Sequence, residues 1–371
     1  MGIIFSSFNG LEPKLRFPNF IEKWTRFEAE NIFKNITDKN HPTDTVLTIQ
    51  QGRGTLPRDL SGRNILYDNT NTKNYKRVQF GDFIIHLRSF EGGLEMANEQ
   101  GIVSPAYTIL RYIKPIAFGF YKAYFRTNEF INHILSKSVE GIRDGKQISY
   151  DAFKWLAIPY CQLEEQQKIA DFLSLVDQRI EKQRQLVESL KKYKRGALSR
   201  VFNDVLETVK LSDISNFISS ARTLSTTLNG NKGIYPVYDA AGIAGYIDYY
   251  DIDSDYITIV KDGSGVGRLQ KCDKKSSFIG TLGALVAKNC TTDFLYAVLQ
   301  TIDFSKFVTG MAIPHIYYRD YKSTLLPFPS EEKQHFISQL LKKFDIYIEN
   351  ETQKLTNMLA YKQGLLQQMF I

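Results

Sequence analysis

A chain of 371 residues is long enough for two or three domains, each with a real core. Its 43% hydrophobic and 23% charged content is ordinary for soluble globular protein, and its net charge of +7 suits a nucleic-acid partner without proving one. Cys161, Cys272 and Cys290 lie far apart, which excludes a disulfide framework and any zinc-type spacing.

Residues 1–13 read as a flexible lead, and they lack the basic stretch and apolar run of a signal peptide. No apolar run is long enough to span a membrane, so a cytoplasmic protein is expected. A first globular unit is expected over 14–160. Residues 25–36 read as a short helix. Thr45–Ile49, Gly81–Leu87 and Gly101–Leu110 read as strands, being β-branched or apolar runs between turn residues. Gln51–Asn74, rich in Gly, Asn, Asp, Thr and Arg, reads as loop. Residues 117–138 look helical, and Gly141–Gln147 is a polar loop.

Leu163 to Phe202 then reads as one helix of about forty residues, ~60 Å long, within a helical spacer over 161–203. Ile169, Leu173, Val176, Ile180, Val187, Leu190, Ala197 and Val201 alternate in steps of three and four, which is a coiled-coil seam. Gln183 and Lys194 interrupt it. Glu164 and Glu165 at its start, and Lys191, Lys192, Lys194 and Arg195 near its end, suit the helix dipole. A second globular unit is expected over 204–328. Leu211–Phe217 and 292–307 read as helical; Pro236–Tyr238, Gly245–Tyr250, Asp255–Val260 and Gly280–Ala287 read as strands. A C-terminal helical spacer fills 329–371.

The whole half repeats. Shifting the numbering by 168 sets Pro159 on Pro327, Gln166 on Gln334, Asp177 on Asp345, Lys194 on Lys362 and Phe202 on Phe370. The second seam is Ile337, Leu341, Phe344, Ile348, Leu355, Met358, Leu365 and Met369, with Glu351 and Lys362 as its polar interruptions. An apolar seam must be buried, and two copies in one chain can bury each other. Because the chain returns through a globular unit, antiparallel pairing is expected, with Lys194 facing Glu351 and Gln183 facing Lys362. Gly196 and Gly364 lie off the seam, at a cost of about 1 kcal/mol each relative to Ala; close packing of something else on the outer face is the preferred reading, and local fraying near the helix end the other. The fold class is α+β: two globular mixed α/β domains joined by two long helices packed as an antiparallel coiled coil, with a pseudo-two-fold internal repeat.

No catalytic constellation is visible. Gly263–Arg268 resembles a phosphate cradle, but Leu269–Cys272 continues as a strand where a dinucleotide fold needs a helix, so a glycine-rich hairpin loop is expected. Ser104-Pro105-Ala106-Tyr107 only brushes against an amino-methyltransferase motif. The five histidines have no metal spacing, and there is no P-loop. What stands out is loops that mix Arg or Lys with Asn, Gln, Thr or Tyr, as DNA contact requires. The candidates are Gln51, Arg53, Arg58, His86, Arg88, Arg143, Lys146 and Gln147 in the first unit. In the second they are Arg222, Lys232, Lys261, Arg268, His315, Tyr317 and Arg319.

The ordered motifs resemble the specificity subunit of type I restriction–modification enzymes. They are Pro13-Lys14-Leu15-Arg16-Phe17-Pro18 with Trp24, Gly81-Asp82-Phe83, Gly101–Tyr107, Glu164–Ala170, Tyr235–Tyr238, Gly245–Ile247 and Gly310–His315. The second helix departs from the family pattern at its opening, Glu331–Ile337. The resemblance implies that the globular units are target-recognition domains, each reading half of a split site on double-stranded DNA. It implies that the helices fix their spacing and dock two methyltransferase subunits, and that the chain itself is non-catalytic. S-adenosylmethionine, ATP and Mg would then belong to the methyltransferase and restriction–translocase partners. Two other readings stand beside it: a stand-alone DNA methyltransferase or nuclease, and a coiled-coil scaffold that does not bind DNA.

Overall fold

The computed structural model describes residues 4–5, 13–61, 69–141, 147–223, 227–228, 233–310 and 312–370. It divides the chain into two compact units, residues 1–183 with 354–371, and residues 184–353. Each unit holds one globular part and a portion of each of two long helices, Leu163–Asn203 and Glu331–Phe370.

In the first unit a four-stranded antiparallel sheet runs in the order Phe33–Ile36, Thr108–Tyr112, Phe83–Ile85, Glu95–Met96. Strand side chains alternate between faces. Phe83, Ile85 and Leu110 therefore enter a large core with Phe33, Tyr121 and Phe125. Ile84 and Ile109 enter a second core with Leu47, Val78 and Val103 on the other face. The centres of both middle strands are covered on both sides, which is why Phe83–Ile85 and Ile109-Leu110 are apolar.

Four expectations for this unit are corrected. Residues 25–36 are not a helix: Thr25–Glu28 is a strand paired with Ala157–Tyr160, and Phe33–Ile36 is a sheet edge, with one 3-10 turn between them. Pairing across some 130 residues overrides local propensity here. Gly101–Leu110 is two strands, because the turn at Ser104-Pro105 breaks the ladder and proline has no N–H to donate. Gln51–Asn74 is not all loop, since Gly54–Pro57 forms a tight hairpin with Leu47–Gln50. The lead contains a strand, Ile4–Phe5, paired with Leu15–Arg16.

The second unit repeats the plan. Its sheet order is Ser215–Ser219, Leu282–Ala287, Tyr256–Val260, Leu269–Cys272, again antiparallel. By position in the sheet, Leu282–Ala287 matches Thr108–Tyr112. Leu211–Phe217 is helical only to Ile214; Ser215–Ser219 is the sheet edge. Thr208–Lys210 pairs with Leu325–Pro327, as Thr25–Glu28 pairs with Ala157–Tyr160. Gly263–Arg268 joins Tyr256–Val260 to Leu269–Cys272, the hairpin loop expected from the sequence.

Both long helices form where their seams place them, and every seam residue is buried or half-buried. Each opens with the same device: Gln166 Nε2 donates to the Cys161 carbonyl at 2.8 Å, and Gln334 Nε2 to the Pro329 carbonyl at 2.9 Å, both buried. Among the described residues, the first has a further lock. Glu165 accepts from Arg16 at 2.7 and 2.9 Å and from Trp24 at 3.0 Å, with both charges buried. Lys333 stands at the matching position of the second helix.

In the first unit Ile169 and Leu173 share a core with Leu365, Met369 and Phe370. In the second, Leu198 and Phe202 share one with Ile337 and Leu341. The start of each helix thus meets the end of the other, which is antiparallel pairing. The expected register is corrected. Lys194 pairs with Asp345 at 2.5 Å, not with Glu351, and Lys362 pairs with Asp177 at 2.5 Å, not with Gln183. Each lysine reaches a carboxylate six positions earlier (345 against 351, 177 against 183). Asp177 and Asp345 are themselves repeat mates, so both ion pairs obey the pseudo-two-fold relation. Nothing lies within 4 Å of a Cβ built on Gly196 or Gly364, so none of the described residues packs closely there.

Candidate nucleic-acid interface

In the first unit Gln51 and Arg53 sit exposed at the turn of the hairpin Leu47–Gln50/Gly54–Pro57. The turn needs glycine at Gly52 and Gly54, whose φ values are +84° and +88°. Beneath it lies Glu95, fully buried on the adjoining sheet edge. Its carboxylate accepts from Gly52 N at 2.6 Å, Gly54 N at 2.9 Å and Arg126 at 2.5 Å. Arg126 also donates to the Gly52 carbonyl at 2.7 Å. Asn98 closes the other side, donating to the Arg53 and Thr55 carbonyls at 2.7 and 2.8 Å.

Arg58 stands half-buried at the foot of the hairpin, where its backbone N–H donates to Val46. His86 and Arg88 occupy the turn after strand Phe83–Ile85, and the Arg88 N–H donates to His86 Nδ1 at 3.3 Å. Burial pulls the His86 imidazole below its ordinary pKa; nearby Glu95 and the Gly93 carbonyl oppose that only in part. Arg88 is exposed and paired with Glu91. Gln147 lies exposed in a separate two-strand ladder, Val139–Glu140 with Gln147–Ile148. Arg143 and Lys146 lie outside the described residues, as does Lys232 of the second unit.

The second unit gathers five candidates near the end of strand Tyr256–Val260. The Ile316 N–H donates to the Lys261 carbonyl at 3.0 Å and the Gly263 N–H to the Pro314 carbonyl at 2.9 Å, which ties the two loops together. His315 Nδ1 lies 3.1 Å from Asp262. The Arg319 guanidinium sits 4.8 Å from the centre of the exposed Tyr317 ring. Arg268, exposed, donates to the Ala240 carbonyl. Gly310, at φ +89°, makes the turn that presents His315; a Cβ there would stand 2.4 Å from the Ile313 carbonyl oxygen. Arg222 stacks on Tyr249 at 4.8 Å and pairs with Asp251 at 2.7 Å.

Sequence reasoning missed Glu95, Asn98 and Arg126. The one signal was a carboxylate inside the apolar run Leu94-Glu95-Met96-Ala97. It read Gly81-Asp82-Phe83 as the start of a strand and as a motif, with no role for its side chains. Its role is structural: Asp82 is buried and holds Arg111 through two bonds of 2.7 and 2.8 Å, and a Cβ on Gly81 would meet the Phe118 ring at 2.5 Å. Among the described residues no group of His, Cys, Asp and Glu is arranged to hold a metal, and no helix is long and apolar enough to cross a membrane.

Fold and site together define a duplicated α+β protein, two similar units with dissimilar polar loops on paired helices. The family model for the type I restriction modification DNA specificity domain matches residues 27–192 and again 203–359. The chain belongs to this family. It is 29% identical over 151 residues to a putative type I specificity subunit of Mycoplasma pneumoniae, covering 38% of this chain and 49% of that protein. It is 27% identical over 115 residues to the EcoprrI type I restriction enzyme specificity subunit of Escherichia coli, covering 30% and 28%. The matches thus span about half or less of these curated relatives. Among solved structures, the type I restriction–modification S subunit from M. genitalium aligns over 97% of this chain and 99% of its own, with TM-score 0.58 and 18% identity. A chain from a structure of type I restriction–modification complex assembly aligns over 94% and 97%, with TM-score 0.57 and 16% identity. These likenesses show the fold.

Proposed function

We propose that this chain is the non-catalytic DNA-reading subunit of a type I restriction–modification complex, in which each globular unit reads one half of a bipartite, asymmetric site. The observation that carries the reading is the duplicated family match over two units of one topology whose exposed polar loops differ. A symmetric fold with asymmetric loops suits two unlike half-sites, whereas a homodimer would read a palindrome. The recognition domains take residues 14–160 and 204–328, and the helical segments 161–203 and 329–371 set the half-site spacing and dock two methyltransferase subunits. The outer faces around Gly196 and Gly364, with exposed Tyr193 and Tyr361, are the docking surfaces. Methyltransferase and restriction–translocase partners supply S-adenosylmethionine, ATP and Mg.

Mapping methylated adenines in DNA from cells carrying this chain and its methyltransferase subunit tests the reading. A split motif with two unlike halves is the expected result. Methylation by the purified chain alone would favour a stand-alone enzyme, and absence of any sequence-specific methylation or DNA binding would favour a scaffold.

A further inference from the structure

Most surface hairpin turns are held only by their own ladder. The turn at Gln51–Gly54 is instead anchored from below by a fully buried carboxylate that captures two of its N–H groups. Carboxylate bonds to backbone N–H are among the stronger hydrogen bonds, and Arg126 neutralises the buried charge while gripping the Gly52 carbonyl. Asn98 fixes the opposite strand. The side chain of Gln51 lies over Gly92: a Cβ there would fall 1.8 Å from Gln51 Nε2, and the three nearest atoms all belong to Gln51. A side chain at 92 would therefore displace the Gln51 amide from this position. Gln51 and Arg53 themselves remain exposed, and the Arg53 side chain has no ion pair among the described residues. An amide and a guanidinium are the groups that make bidentate contacts to adenine and guanine in the major groove.

We propose that Glu95, Arg126 and Gly92 are specificity-positioning residues, which hold the Gln51–Arg53 turn as a rigid reading head for bases of one half-site. The proposal rests on the DNA-reading function above. Rigid seating matters because base-edge hydrogen bonds discriminate only when donors and acceptors are held in place before contact. A turn free to tilt would keep its charge attraction to phosphate and lose its preference among bases.

The test is methylome mapping of cells carrying the chain with its methyltransferase subunit, comparing wild type with Glu95→Gln and Gly92→Ala. Glu95→Gln leaves one carboxamide oxygen where two carboxylate oxygens served the turn and Arg126. Gly92→Ala pushes on the flexible Gln51 amide alone and leaves the core untouched. The expected result is a relaxed motif in the half read by the first unit, with roughly ten- to hundredfold less discrimination at one or two positions. The other half stays unchanged. A role limited to stability would lower methylation at all sites and leave the motif intact in both halves. An unchanged motif in both variants overturns the proposal, as does an unchanged motif in Gly92→Ala when Glu95→Gln fails to fold. Altered specificity in Gly92→Ala supports it whatever the fate of Glu95→Gln. If wild type shows no split motif at all, it is the DNA-reading function that fails.

Discussion

His86 shows how far a single residue can be read from its type. The sequence marks it as a loop residue able to contact DNA. Its backbone N–H is held by Ser89 Oγ at 2.9 Å, and its ring packs 6.4 Å from that of Tyr107, in a site that disfavours the charged imidazole. With the folded pKa below the ordinary 6.5, the unfolded chain binds the proton more readily. Stability is therefore full above about pH 6.5 and falls as pH drops through and below that value. Thermal melts between pH 7.5 and 5 should show this loss, and His86→Asn should flatten it. Glu95 teaches the converse. A carboxylate in an apolar run could be seen in the sequence, but not that it lies under a turn more than forty residues earlier, because that proximity is made by the sheet.

Elements were legible in proportion to how local their cause is. A seam of period three and four is a property of consecutive residues, so both long helices and their burial follow from it. The segment 25–36 was misread because its partners, Ala157–Tyr160 and Thr108–Tyr112, lie elsewhere in the chain. Register falls between these cases. Polar interruptions of the seam suggested Lys194 against Glu351, but a flexible lysine selects the carboxylate that its tip reaches. That is Asp345, with the lysine nearly covered and the aspartate more than a third exposed. Charge reversal decides the matter. Lys194→Glu and Asp345→Lys should each lower stability, and the double variant should recover it, with a coupling of roughly 0.5–1 kcal/mol in denaturant titrations. Rescue of Lys194→Glu by Glu351→Lys instead would restore the register expected from the sequence.

At the scale of the molecule, duplication is the main fact. Two sheets of one order, two flanking ladders and two glutamine-opened helices recur with a constant offset in the helices and a variable one in the loops. A common frame carrying independent reading surfaces, as proposed above, would leave this pattern. Exchange of residues 14–160 for the matching segment of another family member should therefore change one half of the methylated motif and leave the other half and the spacing between them intact. Methylome mapping of the chimera checks this; a change in both halves would mean that the units do not read independently.

The sequence by itself determined the repeat, the two long helices, their antiparallel sense and the family. Each of these rests on periodicity, or on the order of motifs along the chain, and neither needs distant contacts to be known. Only the tertiary structure decided which segments became sheet edges, which carboxylate each seam lysine meets, and that Glu95 and Arg126 seat the Gln51–Arg53 turn. Those outcomes depend on ladders and ion pairs closed across tens to hundreds of residues, and their energies exist only once the sheet has brought the partners together.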